Sequence, residues 1–148
     1  MKGDHIRYCA GYKYQLDEDY SKTNGGPLQV GIYGYDIRTR FITLTRDGFL
    51  DIHNYYAWDG CSGPTIDDET NMRGGLVHDA LYQLMRLGLL PIKYKDIADN
   101  LLHDICLEDG MNGFRADYYY EGVKLFGYAS AKLGANPYPV LTAPCLCN

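Results

Sequence analysis

The first half of the chain alternates β-branched or aromatic positions with polar ones, which is the pattern of short strands separated by turns. Asn24-Gly25-Gly26-Pro27 and Asp47-Gly48 interrupt this alternation. Because an Asp-Gly pair between two apolar segments is typical of a two-residue β-turn, Asp47-Gly48 predicts a hairpin. We expect strands over residues 12–16, 28–33, 37–44 and 49–56.

Helical spacing replaces the alternation after residue 70. Apolar side chains three and four positions apart predict a helix over 74–87 that ends at Gly88. The same spacing predicts a second helix over 95–108, ended by Gly110, and a third over about 114–133. The prolines of Asn136-Pro137-Tyr138-Pro139 prevent any further helix. The first helix has its apolar stripe at Leu76, Val77, Ala80, Leu81, Leu84 and Met85.

Strands followed by helices predict an α+β fold, with N-terminal antiparallel hairpins and then a three-helix core. A chain of 148 residues fits a single domain, which we take to span residues 1–148. We divide it into a strand-rich part (about 1–57), a loop with the helical core (about 58–134) and a tail that contains proline and cysteine (135–148).

Charge and hydropathy exclude several classes of partner. The chain has 14 basic and 19 acidic residues, a net charge of −5, and no lysine or arginine cluster that would follow a phosphate backbone. We therefore expect no nucleic-acid partner. The N-terminal residues lack the apolar core of a signal peptide, and no segment has the roughly 20 apolar residues that cross a bilayer. The 15 tyrosines suit assembly surfaces.

Five cysteines at irregular spacing argue against a disulfide framework, because one thiol would be left unpaired. We expect reduced thiols. Cys145 and Cys147, two residues apart beside Pro144, form only a weak metal-binding signal.

The adjacent pair His78-Asp79 is the strongest chemical signal. On a helix, His78 and Tyr82 lie on one face, one turn apart, and Asp79 projects about 100° away. An imidazole is the side chain best suited to take a proton from water near neutral pH, and a carboxylate on its other nitrogen fixes its tautomer. If the first two helices pack antiparallel, Asp99 or Asp104 can supply that carboxylate.

Asp79 has a separate predicted role. Calcium prefers carboxylate and main-chain carbonyl oxygens, and the glycine-containing segment 59–64 (DGCSGP) can turn its carbonyls inward. Asp67, Asp68 and Glu69 either add charge there or form a solvated turn or the start of a helix. The alternative is structural, with His78 bonded to a carbonyl and Asp79 acting as a cap.

Other polar residues are expected to act in packing. His5, His53 and His103 lack comparable surroundings, so we predict no catalytic part for them. Arg115, beside the run Tyr118-Tyr119-Tyr120, is predicted to anchor the third helix by an ion pair to one of the aspartates near the site.

Four motifs together resemble an uncharacterised family of tailed phages and prophages: DGCSGP, HDALYQ, IADNLLHD and FRADYYYEGVKLFG. The resemblance covers roughly residues 58–127. It implies a phage protein, a structural or accessory component near the tail or neck of the particle, with other particle proteins as partners. The location implied is a virion or the host cytoplasm.

The same core resembles the secreted phospholipase A2 superfamily, above all its bacterial members, whose 21-residue step between the histidine and the second aspartate is matched by His78 and Asp99. The resemblance implies a phospholipase-like helix pair in which His78 is the general base, Asp99 orients it and Tyr82 supports the site. It also implies a possible calcium ion bound by Asp79 and by the backbone carbonyls of Trp58, Gly60 and Ser62.

One departure from the phospholipase pattern concerns rigidity. The secreted enzymes join the loop to the helix by a disulfide, whereas residues 74–77 of this chain are Gly-Gly-Leu-Val and leave Cys61 without that partner. The only apolar lip for lipid is a modest one, formed around Pro91 by Leu87, Leu89, Leu90 and Ile92.

These observations leave two main hypotheses for function. The first is a non-enzymatic particle protein in which a buried His78–Asp99 pair is a folding device. The second is a calcium-dependent ester hydrolase that acts on host envelope lipid during entry or release. A cell-wall amidase is a third, but it requires a zinc cluster or a Cys/His pair, and neither spacing is present.

Overall fold

The computed structural model describes residues 6–9, 13–60, 67–135 and 140–143. These residues form a mixed α+β fold, as predicted, with antiparallel strands first and most of the helices after them. The strands are β1 (Ile6–Cys9), β2 (Tyr14–Gln15), β3 (Leu28–Gln29), β4 (Ile37–Arg38), β5 (Ile42–Leu44), β6 (Phe49–Ile52), β7 (Ala57–Trp58) and β8 (Val140–Ala143). The helices are α1 (Tyr20–Thr23), α2 (Met72–Arg86), α3 (Lys95–Glu108), α4 (Gly113–Phe126) and α5 (Tyr128–Ala131), with a 3-10 turn at Ile92–Tyr94 before α3.

The largest sheet is antiparallel, with strand order β3-β6-β5-β4. Its central hairpin joins β5 to β6 through Asp47-Gly48, so this prediction is confirmed. Gly48 has a φ of 83°, and its N–H donates to the carbonyl of Thr45 at 3.0 Å. A left-handed residue at this point suits glycine, since it has no Cβ to clash.

All four predicted strands are shorter than expected, and in the segment 12–16 the strand is only Tyr14–Gln15. The segment 37–44 is a hairpin, because Thr39 closes a turn on Ile42 with its N–H and accepts the N–H of Ile42 at its hydroxyl. The segment 28–33 stops being a strand at Gln29, before Gly31 with its φ of 74°. The segment 49–56 ends at Ile52, and Tyr55, with a φ of 72°, turns the chain toward β7. The polar residues of these turns had no distinct signal, because strands with alternating apolar and polar positions contain polar residues as well.

Two smaller sheets connect distant parts of the chain. β2 pairs with β7, and of the predicted strand 12–16 the first residue lies outside the described residues. β1 pairs antiparallel with β8, so part of the segment predicted as a tail is a strand. The sequence did not reveal this strand because its partner lies more than 130 positions away. Residues 136–139 and the two C-terminal cysteines lie outside the described residues.

The first two long helices confirm their predictions. α3 runs over the predicted residues, and α2 starts two residues earlier than expected and is followed by Gly88, whose φ is 72°. They pack antiparallel, because His78 meets Asp99 while Gly74, one turn earlier, meets Leu102 and Cys106 further along α3. A Cβ on Gly74 would lie 2.9 Å from Cys106 Sγ, so this glycine allows the close approach.

The predicted third helix is broken, contrary to expectation. α4 ends at Phe126, and α5 starts again at Tyr128 after Gly127. A Cβ at Gly127 would lie 2.3 Å from the hydroxyl of Tyr82, so the chain passes directly against that side chain. At its other end, α4 is capped by Asn112, whose side chain accepts the N–H of Arg115 at 2.9 Å.

The core has two parts. The larger buries the sheet against α2, with Ile42, Leu44, Leu50, Leu81 and Leu84 almost fully inaccessible. The smaller lies between α3 and α4, at Leu102, Cys106, Met111, Ala116, Tyr119 and Val123. α2 therefore lies between the sheet and the other helices, which places His78 at the junction. Among the described residues, no helix combines the length and apolar character needed to cross a bilayer.

Candidate functional site

α2 and α3 bring three of the predicted site residues together. His78 Nε2 lies 2.8 Å from Asp99 Oδ1, and the hydroxyl of Tyr82 donates to the same oxygen at 2.6 Å. The carboxylate of Asp99 is only 1% exposed. Asp104, the other carboxylate considered as a partner, is exposed and lies beside His103 instead. Asp99 is therefore the residue that contacts His78.

Lys95 is the residue that the sequence reasoning missed. Its ammonium group donates to Asp99 Oδ2 at 2.6 Å and to the carbonyls of Val123 and Lys124 at 3.0 and 3.3 Å. Burial alone would raise the pKa of Asp99, but the hydrogen bonds from His78, Lys95 and Tyr82 outweigh it and hold that pKa below its usual value. Asp99 is thus an ionised buried carboxylate that accepts three hydrogen bonds.

Tyr82 is fixed as a hydrogen-bond donor. Its ring centroid lies 4.0 Å from that of His78. Burial raises the pKa of its hydroxyl, and the hydrogen bond to Asp99 raises it further, so the phenol keeps its proton. With Gly127 packed against the hydroxyl, Tyr82 has little room to turn away from Asp99.

The hydrogen bond to Asp99 also determines the chemistry of the neutral His78 ring. An ionised carboxylate only accepts, so Nε2 must carry the proton, and Nδ1 is then the acceptor. No hydrogen bond among the described residues uses Nδ1. His78 lines a small, partly open cleft with a volume of about 20 Å³, which is room for a water molecule. The rest of the lining consists of Gly60, Gly75, Asp79, Leu102, Tyr119 and Val123.

Asp79 lies in this cleft but already has partners. The hydroxyl of Tyr56 donates to Oδ2, and Arg86 Nη2 lies 3.6 Å from Oδ1. Arg86 is itself buried and also donates to the carbonyl of Ser130 and to Gln83 Oε1. The carboxylate of Asp79 therefore already has a cationic neighbour.

The predicted calcium ligands come together only in part. Gly60 lines the cleft with Asp79, whereas Trp58 is buried in the β2–β7 pair and Ser62 lies outside the described residues. Within the described part of the chain, no group of three His, Cys, Asp or Glu side chains is placed to hold a metal ion. Calcium prefers six to eight oxygen ligands. Calcium binding stays a prediction, and it would require Asp79 to exchange the Arg86 contact for the ion.

The acidic run before α2 is structural where it is described. Asp68 accepts the N–H and the hydroxyl of Thr70 and forms an ion pair with Arg115 at 2.5 Å, which confirms the predicted anchor of the third helix. These hydrogen bonds, from Thr70 first and Arg115 second, lower the pKa of Asp68 to about 2. Asp67 packs against Gly60 and accepts a hydrogen bond from Tyr14 at 3.0 Å.

The remaining histidines and one cysteine lie apart from the cleft. His53 bonds to the hydroxyl of Thr43, and His103 lies between Asp104 and Asp117, while His5 is outside the described residues. Cys106 is a free, buried thiol, as expected, and burial raises its pKa to about 11. Its thiol is thus held in the protonated, weakly nucleophilic form.

A sequence signal for Lys95 did exist. Lys95, Asp99, Leu102 and Cys106 are spaced as neighbours on one face of a helix, and all four are buried. A lysine in such a stripe normally needs a carboxylate partner, and Asp99 is four residues away. Arg86 gave no comparable signal, because the main-chain carbonyl that it binds, that of Ser130, lies on another element.

Comparisons of the chain with protein-family models, with curated proteins and with solved structures find no match. The likenesses to a tailed-phage family and to bacterial phospholipases A2 therefore stay predictions. The functional argument rests on the geometry of the cleft.

Proposed function

We propose that this chain hydrolyses an ester bond, with His78 as the general base and Asp99 as the carboxylate that orients it. The observation that carries the proposal is that the two nitrogens of the His78 ring have different surroundings. Nε2 is bonded to a buried carboxylate, while the ring lines a cleft and Nδ1 has no partner among the described residues. A histidine held in this way is prepared to take a proton from a water molecule in the cleft.

The proposed reaction needs a single water molecule. Nδ1 of His78 accepts a proton from the water, and the water oxygen forms a bond to the ester carbonyl carbon. The tetrahedral intermediate then breaks its bond to the alkoxide, and the imidazolium returns the proton to that leaving group. Asp99 stays ionised and stabilises the imidazolium through Nε2.

The substrate class we propose is an amphiphilic ester, such as a phospholipid of the host envelope. Leu87, Leu89, Ile92 and Leu133 are exposed near the turn between α2 and α3, and a Cβ on Gly88 would lie 2.8 Å from Leu133. This small apolar surface suits contact with lipid. Leu90, which we expected in the same lip, is buried instead.

Calcium belongs to the proposal as an optional cofactor. Asp79 and the carbonyls of Trp58, Gly60 and Ser62 would hold it, and a bound cation would polarise the ester carbonyl. The setting we propose is the one implied by the sequence resemblance, an accessory component of a tailed-phage particle.

The decisive test replaces His78. Fatty-acid release from vesicles of phosphatidylethanolamine and phosphatidylglycerol is measured for the parent, His78→Gln and His103→Gln, each with calcium and with a chelator. Loss of the base should lower kcat about 10²- to 10⁴-fold in His78→Gln. His103→Gln removes a histidine outside the cleft and should match the parent.

Two results would count against parts of the proposal. Equal rates for the parent and His78→Gln would remove the catalytic role. If the parent is active and its rate and melting temperature are the same with calcium and with chelator, calcium has no part.

A second candidate function is a non-enzymatic component of a phage particle. Asp99 accepts from three side chains and connects α2 with α3, and through Lys95 with α4, as a folding device would. α4, α5 and the residues directly after α5 also expose large apolar side chains that suit contacts with neighbouring subunits: Phe114, Leu125, Phe126, Tyr128 and Leu133. This candidate predicts no hydrolysis by the parent and a loss of about 1–3 kcal/mol of stability in His78→Gln.

A further inference from the structure

Lys95 occupies an unusual place for a lysine, at the first turn of α3 with its ammonium group buried against Asp99. We propose that Lys95 is a positioning residue: it holds the carboxylate of Asp99 in the one orientation that presents Oδ1 to both His78 and Tyr82. The inference rests on the proposed function for its catalytic consequence, but its geometric content is independent of any activity.

The three protons of the ammonium group define its role. One goes to Asp99 Oδ2, and two go to main-chain carbonyls near the end of α4, those of Val123 and Lys124. Main-chain carbonyls at a helix end are fixed in space and attract a cation. Lys95 is thus anchored to α4, and its hydrogen bond holds Asp99 Oδ2 in place.

The two oxygens of the Asp99 carboxylate accept hydrogen bonds from different side chains. Oδ1 accepts from His78 Nε2 and Tyr82 Oη, whereas Oδ2 accepts from Lys95. Without a donor at Oδ2, the carboxylate can rotate about its bond to Cβ and lengthen the hydrogen bond to His78. The imidazole would then lose its fixed direction, and the position of Nδ1 relative to the cleft would vary. A change of this kind affects the chemical step more than substrate binding.

The test compares two replacements of Lys95 that separate hydrogen bonding from packing. Lys95→Met keeps most of the apolar stem and removes every donor, whereas Lys95→Gln keeps one donor within a shorter side chain. The matched control is Lys93→Met, which removes an equal charge from an exposed lysine two residues away. Each protein is examined by urea denaturation, by its kcat and KM, and by the proton NMR signal of the His78 ring N–H.

The expected result is a ranking. A ring N–H bonded to a buried carboxylate gives a proton signal well downfield of the amides. That signal should be present in the parent and in Lys93→Met, weakened in Lys95→Gln and absent in Lys95→Met. The value of kcat should fall in the same order, about 10- to 100-fold for Lys95→Met, with KM within about twofold. Stability need not follow that order, because methionine packs better than glutamine.

The outcomes separate this inference from the proposed function. If the parent has no hydrolytic activity, the proposed function fails, and the His78 signal alone decides the role of Lys95. A folded Lys95→Met that keeps the parent's ring signal would overturn the inference. So would a failure of both variants to fold, because Lys95 would then act in folding alone.

Discussion

Two histidine–carboxylate pairs lie one turn apart along α3. Their hydrogen-bond distances are nearly equal, but their surroundings differ. His78 Nε2 lies 2.8 Å from Asp99, and His103 Nε2 lies 2.7 Å from Asp117. The side chain of Asp99 is 1% exposed, whereas that of Asp117 is 74% exposed. A hydrogen-bond distance therefore does not identify a candidate catalytic pair. The burial of the carboxylate and its further hydrogen-bond partners identify such a pair.

His78 and His103 have different hydrogen-bond partners and therefore different expected roles. Asp99 is shared among His78, Tyr82 and Lys95, so its charge is balanced inside the fold while His78 lines the cleft. His103 bridges Asp104 on its own helix and Asp117 on α4, and hydrogen bonding to Asp117 raises its pKa. The outer pair thus favours a charged histidine that links two helices, whereas the ring of the inner pair lines the cleft.

The largest difference should appear when each carboxylate is removed. Asp99→Ala leaves the ammonium of Lys95 buried without its counter-ion and leaves two further donors unsatisfied. We expect a loss of about 3–5 kcal/mol in the free energy of unfolding, measured by urea denaturation.

The matched variant is Asp117→Ala, which removes an exposed partner and should cost less than about 1 kcal/mol. If Asp99→Ala should prove too unstable to purify, Asp99→Asn keeps an acceptor and gives a smaller loss of the same sign. Equal losses for Asp99→Ala and Asp117→Ala would show that the two pairs do not differ energetically.

A second prediction concerns the packing that surrounds the inner pair. Gly127→Ala would place a methyl group 2.3 Å from the hydroxyl of Tyr82, so either Tyr82 or the backbone must move. We expect a loss of about 1–3 kcal/mol in stability. The ring signal of His78 in proton NMR should also change, because Tyr82 shares Asp99 Oδ1 with His78.

Gly122 is the control for this prediction, since it lies within α4 with nothing closer than 4 Å to an added Cβ. Gly122→Ala should raise stability by about 0.5–1 kcal/mol, because alanine loses less backbone entropy in a helix. A Gly127→Ala variant that is as stable as Gly122→Ala would show that Tyr82 is not confined.

The inner pair shows how far the sequence reasoning reached. The bounds of α3 followed from helical spacing, and antiparallel packing of the helices left Asp99 or Asp104 as the partner of His78. The phospholipase resemblance favoured Asp99 and gave Tyr82 its supporting role. Lys95 was missed because Asp99 was assigned only to His78. Its spacing to Asp99 carried the information.

The strands show where local patterns fail. The turns at residues 39–41 and 53–56 divide segments in which apolar and polar residues are mixed throughout, as they are in a continuous strand. The pairing of β1 with β8 depends on contacts across nearly the whole chain. Such pairings are decided by tertiary packing, which a periodicity of two residues does not encode.

The smallest expected effect belongs to the outer pair and depends on pH. The pKa of His103 is raised in the folded protein by Asp117, against an ordinary value of 6.5. Its stabilising contribution is therefore fully present below pH 6.5 and is lost as the pH rises through the raised folded value. The difference in unfolding free energy between the parent and His103→Gln should shrink from about pH 5.5 to about pH 9, and should not exceed about 1 kcal/mol. Taking this difference cancels the titration of the other histidines. A difference that grows as the pH rises would mean that His103 is neutral in the fold and that the contrast between the two pairs is wrong.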